Sequence, residues 1–381
     1  MSENQEFFKF FAFGCRLNSL EAQKICNMLR ASGMPGAVVV NTCAVTAEAE
    51  RQSRQAVRRV VRENPNLPIF ITGCGATREP DTYAAMSPSV RVIANRDKMN
   101  PAAYGISSAA AGIADSKLSK AFIQIQDGCS YKCTYCITRI LRGPSVSFDY
   151  TRILSDARDA ANTGFREFVL TGINIAEYDG GLCNLCGRLL ADIPEIMRLR
   201  LSSMDPASAE IPRILDLIAT QPRMMPHLHL SVQSGCDEIL QRMARRHRAA
   251  DLIRICGAPI TTSWDIICGF PGETEELFSQ TADLARQLHP IHIHAFPFSP
   301  RPGTPAAGFD NQIPKNIARK RVGIINEIAN NNRMEFMKTQ IGKTVSVLVE
   351  NGGVGRTPND LEIAVDPSAP PRSIRDCVIT G

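Results

Sequence analysis

Three times in the first hundred residues a β-prone apolar run stops at a cysteine. Phe7–Phe13 ends in Gly14-Cys15, Ala37–Val40 in Asn41-Thr42-Cys43, and Pro68–Thr72 in Gly73-Cys74. Helix-prone stretches, Asn18–Ser32 and Thr46–Glu63, separate the runs. Strands alternating with helices predict a parallel sheet. Ligands of such sheets bind outside the carboxyl ends of the strands, which is where these cysteines fall. They stand 28 and 31 residues apart, and two readings stay open: ordinary buried strand-end cysteines, or three thiols meeting at one sheet edge. The first turn reads GCRLNS, which lacks G-x-G-x-x-G and argues against a nicotinamide or flavin site. Cys26, inside the first helix, is expected in the core.

Residues 101–120 are rich in Ala, Ser and Gly and read as a linker after an N-terminal unit of residues 1–100. From 121 to about 310 the alternation resumes. Strands are expected at Ala121–Gln126, Glu167–Leu170, Arg198–Ser202, His227–Val232, Trp264–Cys268 and Ile291–Phe296, with helices such as Tyr150–Thr163 and Glu273–Leu288 between them. Six such units fit an incomplete (β/α)6 barrel, whose reactive face is the C-terminal rim. Right after the first of these strands, Cys129, Cys133 and Cys136 form C-x3-C-x2-C, with Gly128 before and Tyr135 within the array. Three thiolates in one loop suit an iron–sulfur cluster with one iron left open, or a zinc knuckle completed from elsewhere.

Other reactive side chains carry weaker signals. His227 with His229, and His292 with His294, each share a strand face; packing or a polar contact is the expected role and a metal pair the alternative. Cys183 and Cys186 form a C-x2-C at a helix start, with no second pair near. Cys236, Cys256, Cys268 and Cys377 are expected as small apolar fillers. Lys315–Lys338 is a basic helix-prone segment, and residues 338–381 turn to short β-prone runs, a small β unit suited to holding RNA. Thirteen cysteines, an odd number without the spacing of a secreted disulfide framework, point to reduced thiols in a cytoplasmic protein. The N-terminal MSENQEFFKFF does not read as a signal peptide. No apolar run approaches a membrane span. A net charge of +5 is compatible with a polyanionic partner.

With both cysteine sets in view, the chain resembles the methylthiotransferase family of radical S-adenosylmethionine (radical SAM) enzymes nearly end to end. The carrying motifs are Phe13–Asn18 (FGCRLN), Asn41–Thr46, Thr72–Cys74, Gln126–Cys136, Pro226–Gly235, Asp265–Thr274 and Gly342–Arg356. The resemblance implies an α/β chain in three parts: a Rossmann-like N-terminal unit, a partial radical SAM barrel over residues 121–337 and a TRAM-like RNA-binding tail. It implies two 4Fe-4S clusters. Cys129, Cys133 and Cys136 would ligate the catalytic one, which cleaves S-adenosylmethionine, and Cys15, Cys43 and Cys74 the auxiliary one. Gln233, Ser234, Arg245, Gly269, Pro271 and Gly272 are expected around the cofactor, by rim position and by resemblance. The wording GCRLN, QDGC and FPFSPRPGTPA is closest to the branch acting on threonylcarbamoyladenosine in tRNA; isopentenyladenosine and a ribosomal protein are the other targets in the family. The implied partners are tRNA, a reductant such as flavodoxin or ferredoxin, and a sulfur donor. A non-catalytic metal-bearing RNA-binding protein is the alternative from another class.

Overall fold

The computed structural model describes residues 8–107 and 118–380. Strand β1 (Phe8–Ala12), helix α1 (Arg16–Ala31), β2 (Ala37–Thr42), α2 (Ala47–Glu63), β3 (Ile69–Thr72), the short α3 (Gly73–Arg78) and α4 (Pro80–Ala84), and β4 (Val90–Val92) make the first unit. Its four strands are parallel in the order β1-β2-β3-β4. Every residue of β2 is buried because the strand is covered on both faces, which suppresses the usual alternation of polar and apolar side chains. Ala37 and Val39 pack with Ile25, Met28 and Leu29 of α1, whereas Val38 and Val40 pack with Val57 and Val60 of α2. The α2 helix starts where the sequence marks it, since Thr46 Oγ1 accepts from Ala49 N. Sequence reading misses β4, a three-residue strand too short to show a period.

The expected linker begins later than residue 101. Pro101–Tyr104 forms a 3-10 turn, and Tyr104 is buried edge-on against Phe70, with ring centroids 5.1 Å apart. Residues 108–117, the centre of that stretch, lie outside the described residues.

The central unit runs through β5 (Lys120–Gln124), β6 (Gln126–Asp127), α5 (Thr138–Arg142), β7 (Val146–Ser147), α6 (Tyr150–Asn162), β8 (Glu167–Thr171), α7 (Leu182–Asp192), β9 (Arg198–Leu201) and α8 (Ile211–Thr220). It continues with β10 (His227–Gln233), α9 (Asp237–Arg242), α10 (Ala249–Cys256), β11 (Thr261–Cys268), α11 (Glu275–Leu288), β12 (His292–Pro297) and α12 (Lys315–Lys338). Parallel strands β5-β8-β9 and β10-β11-β12 are joined by the bridges Leu199–Met224 and Met204–Leu230 into one six-stranded wall. Alternate residues, among them Ala121, Ile123, Leu228, Leu230, Trp264, Ile266 and Ile293, pack outward in the main core with the helices. The residues between them line the inside of an open barrel, with β5 and β12 as its two edges.

A tail of β13 (Thr344–Glu350), β14 (Val354–Arg356), β15 (Glu362–Ala364) and β16 (Ile374–Val378) pairs antiparallel in the order β15-β14-β13-β16. It docks on the floor of the barrel. Glu167, the first residue of β8, pairs with Arg198 (3.1 Å) and Arg200 (2.7 Å). Arg198 in turn donates to Ser346 O (2.5 Å) and Arg356 O (2.9 Å), and Arg200 to Thr357 O (2.8 Å). Among the described residues no helix is long and apolar enough to cross a membrane.

Candidate active site

Cys15 caps the start of α1, Cys43 follows β2, and Cys74 lies in the first turn of α3. All three therefore stand at the carboxyl ends of neighbouring parallel strands. Two glycines let the turns close together. Gly14 has φ +84°, and a Cβ there would sit 2.4 Å from Cys43 Sγ. Gly73 has φ +96°, and its Cβ would meet Thr42 O at 2.3 Å. Neither position admits a side chain. Asn18 Nδ2 donates to Phe13 O (2.7 Å) and Thr42 O (3.2 Å), tying the first two turns, and Thr42 Oγ1 donates to Thr72 O (2.7 Å), tying the third. Burial pushes the Cys43 thiol up to about 11, and the neighbouring Cys74 and Cys15 push the same way. Amide and carboxamide donors nevertheless face the sulfurs: Val45 N lies 3.4 Å from Cys43 Sγ and Asn95 Nδ2 3.5 Å from Cys74 Sγ. Such donors suit thiolates, which a bound metal would stabilise.

The second trio is shaped by Gln126. Its Nε2 donates to Gly128 O (2.6 Å), Asp127 O (2.8 Å) and Ser145 Oγ (2.8 Å), while its Oε1 accepts from Ile173 N (3.0 Å) and Asn174 N (2.9 Å). One side chain thus fastens the cysteine loop to the end of β8. Gly128, at φ +69°, has no room for a Cβ beside Pro144 O. Asn174 Nδ2 reaches Cys129 Sγ at 3.8 Å and Arg245 Nη1 reaches Cys133 Sγ at 3.7 Å. Burial and the nearby Glu177 carboxylate lift the Cys129 thiol to about 12. Tyr135 packs edge-on to Phe270 at 6.5 Å, above a cluster with Phe298 and Phe309. Among the described residues no three Cys, His, Asp or Glu side chains stand as the ligand set of a single ion. A four-iron cluster offers each thiolate its own iron, so it does not require three sulfurs on one metal.

The two cysteine sites are neighbours. Asn95 touches Cys74 Sγ with the same Nδ2 that donates to Leu141 O of α5 (3.1 Å). Arg142, one residue on, is buried and bonds Glu21 Oε1 (2.8 Å) and Asn18 Oδ1 (2.7 Å) across the interface and Asp127 Oδ1 (2.8 Å) within its own unit. Arg301, in the loop after β12, adds a second buried clasp to Glu50 of α2 at 2.6 Å. Neither arginine carries a sequence signal, because each works through a partner far along the chain.

The expected cofactor residues divide. Arg245 lies on the site: it pairs with Asp205 (3.1 Å), donates to Ser231 O (2.6 Å), and its Nε is buried without a hydrogen-bond partner. Beside it is a cavity of about 290 Å³ lined by Ser130, Tyr131, Lys132, Asp205 and Arg246, at the lower limit of small-ligand pockets. Gln233 ends β10 at φ +69°, an uncommon backbone for a non-glycine residue. Ser234 does not present its hydroxyl to the rim; it bonds Thr281 Oγ1 of α11 (3.1 Å) and Cys236 N (3.2 Å). Backbone φ values of +75° and +81° favour glycine at Gly269 and Gly272, and a Cβ at Gly269 would also lie 2.5 Å from Ala318 Cβ. Pro271 sits between them with its carbonyl facing Arg242 (3.5 Å). Gln126, Asn174, Glu177 and Asp205 are the site residues that sequence reading leaves unassigned.

Both histidine pairs point into the barrel, and among the described residues neither belongs to a group of three side chains placed as ligands of one ion. His227 bonds Thr261 Oγ1 (2.8 Å) and Ser263 Oγ (3.0 Å), and burial drops its pKa to about 3. His229 meets Asp265 at 3.1 Å. Cys186 is buried in the main core, and Cys183 faces Arg213 O. Cys26, Cys236 and Cys268 are buried, and Cys256 and Cys377 half-buried.

Comparison with known proteins agrees with this geometry. Residues 123–285 match the Radical SAM superfamily, and residues 8–95 match a family described as "Uncharacterized protein family UPF0004". The threonylcarbamoyladenosine tRNA methylthiotransferase MtaB of Rickettsia prowazekii is 38% identical over 93% of this chain and 90% of its own length. The MtaB of Chlamydia pneumoniae is 34% identical over 92% and 88%. A tRNA-2-methylthio-N(6)-dimethylallyladenosine synthase of Zymomonas mobilis is 31% identical over 92% and 89%. Among solved structures, the radical S-adenosylmethionine methyltransferase TsrM of Kitasatospora setae shares the fold with a TM-score of 0.55, at 14% identity over 79% of this chain and 75% of its own. By sequence over nearly its whole length and by fold, the chain belongs to the radical SAM methylthiotransferase family.

Proposed function

We propose that the protein methylthiolates threonylcarbamoyladenosine in tRNA, at C2 of the adenine. The observation that supports this most is the adjacency of two cysteine trios, joined through Asn95 and Arg142, in a chain whose relatives are named for that reaction. Cys129, Cys133 and Cys136 would hold a 4Fe-4S cluster, with S-adenosylmethionine in the cavity beside Arg245. When bound, that cluster would supply the electron, received from a flavodoxin- or ferredoxin-like donor, that cleaves S-adenosylmethionine to methionine and a radical able to take an inert C–H hydrogen. Asp205, itself paired to Arg245, and the buried Nε of Arg245 are the groups that would fix the cofactor. Cys15, Cys43 and Cys74 would hold the auxiliary cluster at which sulfur from a donor is presented. The C-terminal sheet, fastened by Arg198 and Arg200, is the TRAM-like part that would hold the RNA in the cytoplasm.

The test is anaerobic reconstitution with iron and sulfide, followed by iron analysis, 5′-deoxyadenosine assay and mass spectrometry of tRNA nucleosides. About eight irons per chain, cleavage, and 2-methylthio-threonylcarbamoyladenosine are expected. Cys133→Ala removes cleavage; Cys43→Ala leaves cleavage and removes methylthiolation. Zinc in place of iron, or dimethylallyladenosine as the modified base, overturns the reading.

A further inference from the structure

The open barrel has a lateral gap between its edge strands, and one residue of the N-terminal unit stands in it. Arg16 directly follows Cys15 and is exposed. Its guanidinium lies 5.6 Å from the ring centroid of Phe122, an inward residue of β5. Burial holds the pKa of His294, an inward residue of β12, below its ordinary value against the raising pull of Asp265, and the charges of His229 and Arg16 add smaller pushes the same way as burial. Among the described residues no carboxylate lies within ion-pair distance of it. Buried arginines around it are all matched: Arg142 with Glu21, Arg245 with Asp205, Arg301 with Glu50. Asp265, an acid on the same inner wall, lies 3.1 Å from His229. The rings of His229 and His294 are 5.6 Å apart, and those of His292 and His294 4.3 Å apart in a T, so the inner wall facing Arg16 is polar and hydrogen-bonding.

An unmatched guanidinium beside one cysteine site, facing a polar wall and resting on an aromatic ring, is a receptor for a small carboxylate. The base named by the relatives carries one. Threonylcarbamoyladenosine ends in the carboxylate and hydroxyl of threonine, whereas a dimethylallyl group offers only hydrocarbon. We propose that Arg16, with Phe122 beneath it and His294 opposite, forms a subsite that binds the threonyl carboxylate of the substrate and selects the carboxylated base. This inference rests on the substrate reading above. Arg16 is a binding residue here; its position next to Cys15 would hold the modified base by its side chain while the ring reaches the cysteine sites.

The experiment uses the reconstituted full-length protein with two anticodon stem-loops, one carrying threonylcarbamoyladenosine and one carrying its threoninol analogue, in which CH2OH replaces the carboxylate. Wild type is expected to prefer the carboxylate by about tenfold to a hundredfold in kcat/KM, through KM, the range for a hydrogen bond to a charged group. Arg16→Gln is expected to bring the two substrates within about threefold of each other, and Arg16→Lys to restore most of the preference. A wild type that accepts both stem-loops equally overturns the subsite without any variant being needed and leaves the substrate reading standing. Equal loss on both stem-loops in Arg16→Gln assigns the charge to an RNA phosphate and also overturns it. A wild type that modifies neither stem-loop but does modify one carrying dimethylallyladenosine removes the substrate reading and the subsite together.

Discussion

Replacing Arg142 with Met should strike the interface between the two cysteine sites harder than any nearby surface change. Glu21 is fully buried and Arg142 is 1% exposed, and the carboxylate is shared with Lys98 at 2.7 Å. Burial pushes the Glu21 carboxyl up, but the charges and hydrogen bonds of Arg142 and Lys98 outweigh it and hold its pKa at about 2, against an ordinary 4.5. That difference corresponds to roughly 3 kcal/mol in favour of the charged form. Deleting one partner of a buried pair strands the other charge, typically at about 3–5 kcal/mol; Lys98 remains, so the lower end is expected. Urea unfolding followed by fluorescence of Trp264, the one tryptophan and fully buried on β11, gives the loss at pH 7. Because the folded pKa is depressed, the stabilisation is present above pH 4.5 and is lost as pH falls through about 2. The gap between wild type and variant should therefore narrow across that window. Adding Glu21→Gln to the Arg142→Met chain should deepen the loss, since the buried Lys98 ammonium is then left without its acid. A loss under about 1 kcal/mol at pH 7, or a gap that is independent of pH, would refute the reasoning.

Two further substitutions probe other joints. Gly14→Ala forces a side chain into φ +84° and to within 2.4 Å of Cys43 Sγ; if Cys43 ligates the proposed auxiliary cluster, strain of about 1–3 kcal/mol there should drop bound iron from about eight to about four per chain, read by metal analysis. Arg198→Met removes three donations to Ser346 and Arg356, worth about 1 kcal/mol each; amide exchange should quicken in β13 and β14 while the β10 and β11 amides stay protected.

Sequence reading reached whatever a local pattern encodes. The β-run–cysteine repeat placed Cys15, Cys43 and Cys74 at strand ends because a covered parallel strand reads as a solid apolar run. The six strands of the barrel emerged the same way. Where one residue obeys two demands, the reading saw only one of them. Gly269 and Gly272 sit just past a strand end, where a rim predicts contact with a cofactor, but φ values of +75° and +81°, and Ala318 of α12 beside Gly269, already favour glycine there. Ser234 likewise meets α11. Glycine and serine at a strand end fit a ligand or a crossing helix equally well, and only the packed chain distinguishes them. Arg142 and Glu21, 121 residues apart, leave no trace in spacing at all.

That asymmetry explains why charged residues, more than cysteines, define how this molecule is assembled. A trio of thiols specifies its own site through glycine turns a few residues long. Joining two such sites across a domain interface requires matched charges from distant segments, and each buried arginine at the joints has found its acid: Arg142 with Glu21, Arg301 with Glu50, Arg198 with Glu167. Burial enforces this matching, because an unpaired charge in the interior would be too costly to keep. Arg16 is exposed and stands outside that rule; among the described residues no acid pairs with it, and a carboxylate can reach it from outside. What sets it apart from other exposed arginines is its place, beside Cys15 and 5.6 Å from the Phe122 ring on the barrel's inner wall.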